Sequence, residues 1–350
     1  MEQLRLLDVF SIRLKNARIM KGFSMDDLAS AMNHSVSKMA ISKYEKGLMK
    51  PSSSILISLS KALEQPVDYF LRPFSFKIES IQFRKKSNLS AKKEKAIKEQ
   101  IADLVERYSS IEEICNASIP FSSLDGFIRN TEDAKSAARR IRTSWNLGTD
   151  GIVNVIALLE EKGIKVVEID ESASFDGLSS FVNGTQPVVV LNRNYTSERM
   201  RFTAMHELGH LLLPIEESLA ERSIESICNS FANEMLLPEE EFKSKLGTRR
   251  SQISYSELEC LQRQYGISCD AMMYKAKACN IISEQYFRRY CITKNSNPEF
   301  KALVEQNLYP AESTLRFRRL VYQALSNNLI SISNAASLLN EPIEIIRGNI

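Results

Sequence analysis

The chain has 350 residues, of which 43% are hydrophobic and 25% are charged. This is the composition of a folded protein with room for two or three cores, so it excludes a mainly disordered chain. No apolar run approaches the roughly 20 residues that a membrane-spanning helix needs, and the first ten residues lack the basic flank of a secretory signal. We therefore expect a cytoplasmic protein without a membrane segment.

Charge is unevenly distributed along the chain, although the net charge is only +3. Residues 1–100 carry 19 Lys and Arg against 10 Asp and Glu, whereas the rest carries 27 against 33. The N-terminal part is therefore suited to a polyanion, and the remainder is not. The six cysteines form no CxxC pair, which argues against both a disulfide framework and a thiolate zinc site.

Turn signals divide residues 9–70 into five short helices. Ser24 is a good N-cap for the second helix, and Gly47 ends a third helix that begins near Ser37. Pro51 precedes a fourth helix with an apolar face. The segments RLKNARIMKGFSMDDLASAM and VSKMAISKYEKGLMKPSSS resemble the Xre-type, lambda-repressor-like helix-turn-helix family. The resemblance implies a DNA-binding domain over residues 1–72 with double-stranded DNA as its partner.

In this family the third helix enters the major groove, and nearby basic residues contact phosphates. The resemblance therefore assigns DNA contact to Lys38, Met39, Ser42, Lys43 and Lys46. Two features depart from the family pattern. Met25 stands where the family commonly has Gln, and the turn at Asn33 to Val36 is two residues longer than usual. Because two recognition helices about 34 Å apart read a palindrome, we also expect a homodimer.

Residues 73–130 are predicted to be a linker that contains a long helix. Phe76, Ile78 and Ile81 alternate as in a strand, and Ser90 caps the helix. Along the helix, apolar residues recur at alternating steps of four and three and would form a seam for a partner helix. These residues are Ile97, Ile101, Leu104, Tyr108, Ile111 and Cys115. The seam fits a dimeric coiled coil and a contact with a neighbouring domain equally well.

The remaining chain is predicted to be mainly helical with a small β-sheet. Helices at about 131–145 and 151–162 precede strands at 164–169, 178–182 and 187–191. A histidine-bearing helix at 200–213 and a second helix at about 217–237 follow. We expect an α+β domain over residues 131–290 and a helical C-terminal module over residues 291–350, which is either an interaction module or a lid.

The histidine helix contains the motif His206-Glu207-Leu208-Gly209-His210. Because residues four apart share one helix face, His206 and His210 can bind one ion while Glu207 points at a water beside it. This arrangement is typical of zinc hydrolases, in which the carboxylate acts as general base. Catalytic zinc takes a third protein ligand, and the next helix offers Glu221 and Glu225 on one face.

The segments RFTAMHELGHLLL, ESICNSFANEMLLP and GLSSFVNGTQPVVVLN resemble the ImmA/IrrE family of zincin-like metallopeptidases. The resemblance implies a Zn²⁺ site with ligands His206, His210 and Glu225, and Glu207 as the catalytic residue. Cys228 stands where the family pattern has Ala, and Asn229 matches its Asn. Strand addition would hold a substrate backbone at an edge formed by residues 178–182 or 188–191, and Tyr195, Tyr255 and Tyr265 are available to stabilise an oxyanion.

Together, the two resemblances predict a transcriptional regulator that binds DNA and carries a zinc endopeptidase, which cleaves a regulatory protein such as a repressor. The alternative is a non-proteolytic repressor or antitoxin whose zinc-binding fold senses a ligand or holds a protein partner. The two hypotheses differ in whether Glu207 is needed for function.

Overall fold

The computed structural model describes residues 6–74, 81–83, 90–170, 175–216 and 218–350. Its N-terminal part is the predicted arrangement of five helices. They are α1 (Leu6–Met20), α2 (Met25–Ala31), α3 (Lys38–Glu45), α4 (Ser53–Leu63) and α5 (Val67–Leu71). The predicted caps are present, since Ser24 forms a capping box with Asp27 and the Ser37 side chain accepts from the Ala40 N–H. Phe10, Leu14, Leu28, Ile41 and Leu59 lie in the core of this helical unit.

The long turn between α2 and α3 uses two consecutive residues with left-handed backbone. Asn33 and His34 have φ values of 51° and 54°. Asn and His are among the residue types that tolerate this region best, which explains how the chain reverses here without glycine. The longer turn still brings Val36 and Ile41 into the same core as Leu28.

Helix α6 (Ala91–Ile114) begins after Ser90, whose hydroxyl accepts from the Lys93 N–H. Its apolar seam is buried within the chain. Ile97 and Ile101 pack against the β-sheet, whereas Tyr108 and Ile111 pack against the C-terminal helices. Of the two alternatives for this seam, the structure therefore shows the contact with neighbouring elements, and α6 does not offer it to a second copy of the chain.

The described residues form a four-stranded sheet in the order β1-β3-β4-β2. Its strands are β1 (Ile81–Phe83), β2 (Lys165–Ile169), β3 (Gly177–Val182) and β4 (Gln186–Asn192). β3 pairs antiparallel with both β1 and β4, and β2 pairs parallel with β4. Asn183 and Gly184 both have positive φ, as a tight hairpin turn between β3 and β4 requires.

The expectation that β3 or β4 forms a free edge is wrong for the described residues, because both are internal and β1 and β2 lie outside them. β1 includes Ile81 of the predicted alternation; Phe76 and Ile78 lie outside the described residues. The two faces of the sheet belong to different cores. Leu178, Val182, Val188 and Val190 pack with α6, and Val189 and Leu191 pack with the helices on the other face.

Those helices surround the large core. They are α7 (Thr131–Ser144), α8 (Val155–Glu161), α9 (Ser197–Leu212), α10 (Glu221–Leu236), α11 (Glu239–Leu246), α12 (Tyr255–Tyr265) and α13 (Cys269–Ala278). The histidine helix α9 begins three residues earlier than predicted, where the Thr196 side chain accepts from the Arg199 N–H. The following helix, α10, begins four residues later than predicted, at Glu221.

The C-terminal helices divide between two cores. They are α14 (Glu284–Ser296), α15 (Pro298–Val304), α16 (Arg316–Ser326), α17 (Ile332–Leu339) and α18 (Ile343–Gly348). Tyr290 of α14 and Val304 of α15 pack on the large core, whereas Leu320 and Ile346 pack with α6. The domain limit predicted between residues 290 and 291 falls inside α14.

Buried ion pairs attach the helix-turn-helix unit to α6. The Arg13 guanidinium donates to both carboxylate oxygens of Glu106 at 2.7 and 2.6 Å, and the two side chains are 2% and 5% exposed. Beside them, Asp103 accepts from Arg72 and Arg107. Burial alone would raise the pKa of the Asp103 carboxyl, but these arginines more than offset burial and hold it below its usual value.

We expect Arg13→Met to lower the free energy of unfolding of the helix-turn-helix unit by about 3–5 kcal/mol, because it leaves the Glu106 charge buried without its partner. The double variant Arg13→Met/Glu106→Leu should regain most of this loss, since it removes both charges. Chemical denaturation measures both effects. A single variant no less stable than the double variant would contradict this account.

Lys38→Met is the matched control for loss of a surface ion pair. It breaks the exposed pair between Lys38 and Asp26, whose side chains are 62% and 63% exposed. A pair of this kind contributes about 0–1 kcal/mol because water screens it, so Lys38→Met should lower the free energy of unfolding by no more than this amount.

Candidate metal centre and DNA-binding face

The close packing of helices α9 and α10 positions the centre. Gly209 of α9 faces α10, and a Cβ atom there would lie 3.2 Å from the Phe231 ring and 3.4 Å from the Cys228 Cα. A methyl group would therefore fit only after a small shift, and a larger side chain would not fit without moving the helices apart. The glycine within the histidine motif therefore allows the two backbones to approach each other, so that a carboxylate on α10 can reach histidines on α9.

The carboxylate that does so is Glu225. Its two oxygens lie 3.3 Å from His206 Nε2 and 3.4 Å from His210 Nε2, and the two Nε2 atoms are 3.1 Å apart. Among the described residues, these three form the group of His, Cys, Asp and Glu side chains whose ligand atoms all lie within 4.8 Å of one another. Glu221, the other carboxylate considered from sequence, is exposed at the start of α10 and is not part of the group.

Hydrogen bonds orient both imidazoles so that their Nε2 atoms converge. His206 Nδ1 lies 2.9 Å from the Asn229 side-chain oxygen, and His210 Nδ1 lies 3.5 Å from the Cys228 sulfur. With the amide oxygen of Asn229 as acceptor, His206 carries its proton on Nδ1 and keeps the Nε2 lone pair for a ligand. Metal-binding histidines in proteins are usually held in this way. The sequence pattern contained Asn229, but its partner could only be identified from the structure.

Glu207 follows His206 in α9 and is almost fully buried, with 2% of its surface exposed. The Ser179 hydroxyl on β3 donates to its Oε2 at 2.8 Å. Ser179 is the one contact of this candidate site that was not expected from the sequence. Two adjacent serines, Ser179 and Ser180, occupy this strand, and nothing in the sequence indicates which of them faces α9.

The three tyrosines considered as oxyanion donors differ in their surroundings. The Tyr255 hydroxyl donates to the Leu303 carbonyl, and the Tyr265 side chain is buried at the end of α12. Tyr195 lies just before α9 and lines a cavity of 790 Å³ that Asn229 also borders. Of the three tyrosines, Tyr195 therefore borders the same cavity as Asn229, whose side chain contacts the candidate ligand His206.

At the other end of the chain, α3 presents its predicted DNA-contacting residues on one surface. Ile41 and Tyr44 are buried in the core, whereas Lys38, Lys43 and Lys46 are exposed and Met39 is 70% exposed. Ser42 is half-buried beside them. Exposed lysines and an exposed thioether on one helix face are suited to phosphates and thymine methyl groups.

One acidic residue interrupts this basic surface. The Lys38 ammonium lies 2.6 Å from the Asp26 carboxylate in the first turn of α2. The Asp26 carboxylate therefore offsets part of the positive charge of Lys38.

Comparison with protein-family models matches both regions. The helix-turn-helix model matches residues 14–70, and the model of a peptidase family described as IrrE N-terminal-like domain matches residues 159–277. The chain joins a helix-turn-helix domain to an IrrE-like peptidase-family domain. A search of curated proteins finds no significant match. Among the described helices, none combines the length and apolarity that crossing a bilayer requires.

The donor set of the IrrE-like domain suits zinc. Two imidazoles and one carboxylate are a common protein ligand set of catalytic zinc, and three protein ligands leave a position for water. Glu225 is the third donor of this set. Its side chain is half-buried, with 31% exposed, so water can approach the three donors from the side of Glu225. Cys228, where the family pattern has Ala, contacts the outer nitrogen of His210 and not the converging Nε2 atoms.

We expect Glu225→Ala to lose most of the bound zinc after purification and dialysis, because it removes one of three converging donors. Glu221→Ala is the matched control and should keep its zinc, since Glu221 lies one helical turn away at the exposed start of α10. Asn229→Ala should weaken zinc binding by about 10–100-fold through the loss of its contact with His206. Plasma mass spectrometry of the metal content checks all three. Equal zinc content in the Glu225 and Glu221 variants would contradict the ligand set.

Proposed function

We propose that the protein is a cytoplasmic DNA-binding transcriptional regulator whose IrrE-like domain is a zinc-dependent endopeptidase. The observation that carries the proposal is the convergence of His206, His210 and Glu225, together with Glu207, which follows His206 in α9 and whose buried carboxylate accepts from Ser179. A binding site for a structural metal has no need of a buried carboxylate beside its ligands. A peptidase needs one to move protons.

In the proposed reaction, His206, His210 and Glu225 hold the zinc ion. When bound, zinc supplies Lewis acidity, which polarises the water and the peptide carbonyl. Glu207 accepts the proton of the attacking water and then delivers it to the nitrogen of the leaving amine. Ser179 donates to Oε2 of Glu207 and so restricts the rotation of the carboxylate, which leaves Oε1 for the proton transfer. Burial of Glu207 excludes competing water from it.

The proposed substrate is a regulatory protein such as a repressor. Support comes from the combination on one chain of a DNA-binding domain and a peptidase-family domain. A regulator that is bound at an operator is placed near other DNA-bound proteins, so their local concentration is high. The proposed homodimer would have to use a surface other than the α6 seam, because that seam is buried within the chain.

We expect Glu207→Gln to lower the cleavage of repressor substrates by about 10²–10⁴-fold, because the amide cannot accept the proton. The variant keeps the shape of the side chain, and it should also keep its zinc, since Glu207 is not among the converging ligands. The measurement is cleavage of candidate repressors by the zinc-loaded protein, followed by gel and mass spectrometry. Equal cleavage by both proteins would rule out this role. Regulation that survives Glu207→Gln would favour the non-proteolytic repressor or antitoxin.

For the DNA-binding domain, we expect Lys43→Ala to weaken binding to all sequences and to reduce the slope of log affinity against log salt by about 1 per binding site. Asp26→Asn should strengthen binding, because it releases Lys38 from its ion pair and removes a negative charge near the phosphates. Fluorescence anisotropy at several salt concentrations measures both. Binding that does not respond to salt would contradict DNA contact by this face.

A further inference from the structure

The cavity of 790 Å³ that Tyr195 and Asn229 border begins beside the candidate metal ligands. Asn229, which contacts His206, belongs to its wall on α10. On α9, its wall is formed by residues between Thr196 and Phe202, which all precede His206. The rings of Phe202 and His206 lie 6.4 Å apart, centre to centre. The cavity therefore extends from the metal centre along the first half of the histidine helix.

Helices α13, α14 and α15 form another part of the wall. They contribute the aromatic side chains of Tyr274, Phe287 and Tyr290, together with several polar groups. Cavities of about 300–1,000 Å³ that combine aromatic walls with a few polar groups are typical of ligand-binding sites. Because this cavity is continuous with the surroundings of His206, an occupant would lie next to the metal centre.

One buried carboxylate in this wall is only partly satisfied. Glu198 is 1% exposed, and its Oε1 accepts from the Gln262 side chain at 2.7 Å. The backbone N–H groups of Leu308 and Tyr309 donate to the same oxygen at 2.9 and 3.1 Å. Among the described residues, Oε2 has no hydrogen-bond partner. Because all three donors are neutral and a buried carboxylate is costly without a counter-charge, this wall favours a positively charged occupant.

The other charged residues of the wall also leave an excess of negative charge. The Lys294 ammonium bonds to the carboxylates of both Asp270 and Glu305, so one cation offsets two anions. These two carboxylate side chains are 47% and 46% exposed, so an occupant can reach them. The Arg199 guanidinium donates to both oxygens of Asp176 at 2.8 and 2.9 Å, so its charge is already compensated.

We propose that this cavity is a specificity pocket, which takes a Lys or Arg side chain of the protein substrate close to the cleaved bond. The inference rests on the proposed function, because it assigns a substrate preference to the same site. Long basic side chains pack their methylene stems on apolar surface and place their cationic heads over aromatic rings. The carboxylates of the wall bind such a head through charge-assisted hydrogen bonds.

The length of α9 sets the distance between the basic residue and the cleaved bond. Glu198 precedes His206 by eight residues, which corresponds to about 12 Å along the helix. An extended peptide advances about 3.3–3.6 Å per residue. Because the basic side chain itself covers part of this distance, we expect the Lys or Arg two to four positions from the cleaved bond.

The first experiment measures binding without catalysis. Its probes are two fluorescein-labelled peptides, Ala-Leu-Ala-Arg-Ala-Leu-Ala-Gly and its counterpart with Gln in place of Arg. Binding is measured by anisotropy with the full chain carrying Glu207→Gln, which prevents cleavage of the probes. The Arg peptide should bind about tenfold more tightly than the Gln peptide, because only the Arg peptide supplies a cation to the wall. Equal binding of the two peptides, or no binding of either, would overturn the proposal.

The second experiment locates this binding in the cavity. Glu198→Gln keeps the shape of the side chain and removes its charge, so it should weaken binding of the Arg peptide about tenfold and leave the Gln peptide unchanged. Glu305→Gln, at a half-exposed position, should have the same effect to a smaller extent and carries the test should the buried variant fail to fold. Unchanged zinc content verifies that α9 and α10 remain packed in each variant.

Glu299→Gln is the matched control for the loss of one negative charge. Glu299 lies in the first turn of α15, is exposed and does not line the cavity. This variant should bind both peptides as tightly as its parent. Equal weakening by all three substitutions would show a general effect of charge and overturn the assignment to the cavity.

The third experiment separates this inference from the proposed function. With Glu207 intact, the zinc-loaded protein is incubated with a mixture of random-sequence peptides, and mass spectrometry identifies the cleaved bonds. Lys and Arg should be enriched two to four positions from these bonds, and Glu198→Gln should lose this enrichment while Glu299→Gln keeps it. Cleavage without enrichment would overturn the specificity pocket and leave the peptidase standing. If no protein cleaves while the Arg peptide binds as expected, the pocket stands and the peptidase activity fails.

Discussion

The close approach of two helices is the constraint on which the rest of the structure depends. A Cβ atom at Gly209 would already lie 3.2 Å from the Phe231 ring and 3.4 Å from the Cys228 Cα, so even a methyl group requires a shift of a few tenths of an ångström. A larger side chain at this position would push α10 away from α9. The glutamate on α10 would then move away from the histidines on α9. The same approach brings Asn229 and Cys228 to the outer nitrogens of these histidines, so one packing contact positions both the candidate ligands and the groups that orient them.

Helix α6 connects the helix-turn-helix domain physically with the IrrE-like domain. Its apolar residues pack on the sheet and on the C-terminal helices, while Glu106 and Asp103 hold the helix-turn-helix domain through buried arginines. A second buried set, in which Glu112 pairs with Lys165 and Arg316, joins α6 to β2 and to α16. Buried charges of this kind contribute little net stability, but they accept few alternative partners and therefore favour one orientation. The DNA-binding and peptidase-family domains thus share a common support instead of a free linker.

The sheet explains why Glu207 is both buried and oriented. Residues on one face of β3 and β4 pack with α6, and Ser179 on the other face meets α9. A carboxylate inside a core is costly unless a donor reaches it, and Ser179 is such a donor. The strand that carries this serine is also the strand that β1 covers. The strand that supports the Glu207 carboxylate is therefore also the strand that pairs with β1.

The sequence by itself determined the parts of the protein that follow from local spacing. Caps such as Ser24 and Ser90, the helical spacing of His206 and His210, and the separate glutamate helix depend on residues a few positions apart, so they can be read directly. The structure decided what depends on contacts between distant residues. It brought Glu225, and not Glu221, to the histidines; it placed Ser179 on Glu207; it buried the α6 seam within the chain; and it put β1 at the sheet edge. Local spacing left the α6 seam and the choice between the two glutamates open and gave no indication of Ser179, because all of these depend on the packing of distant segments.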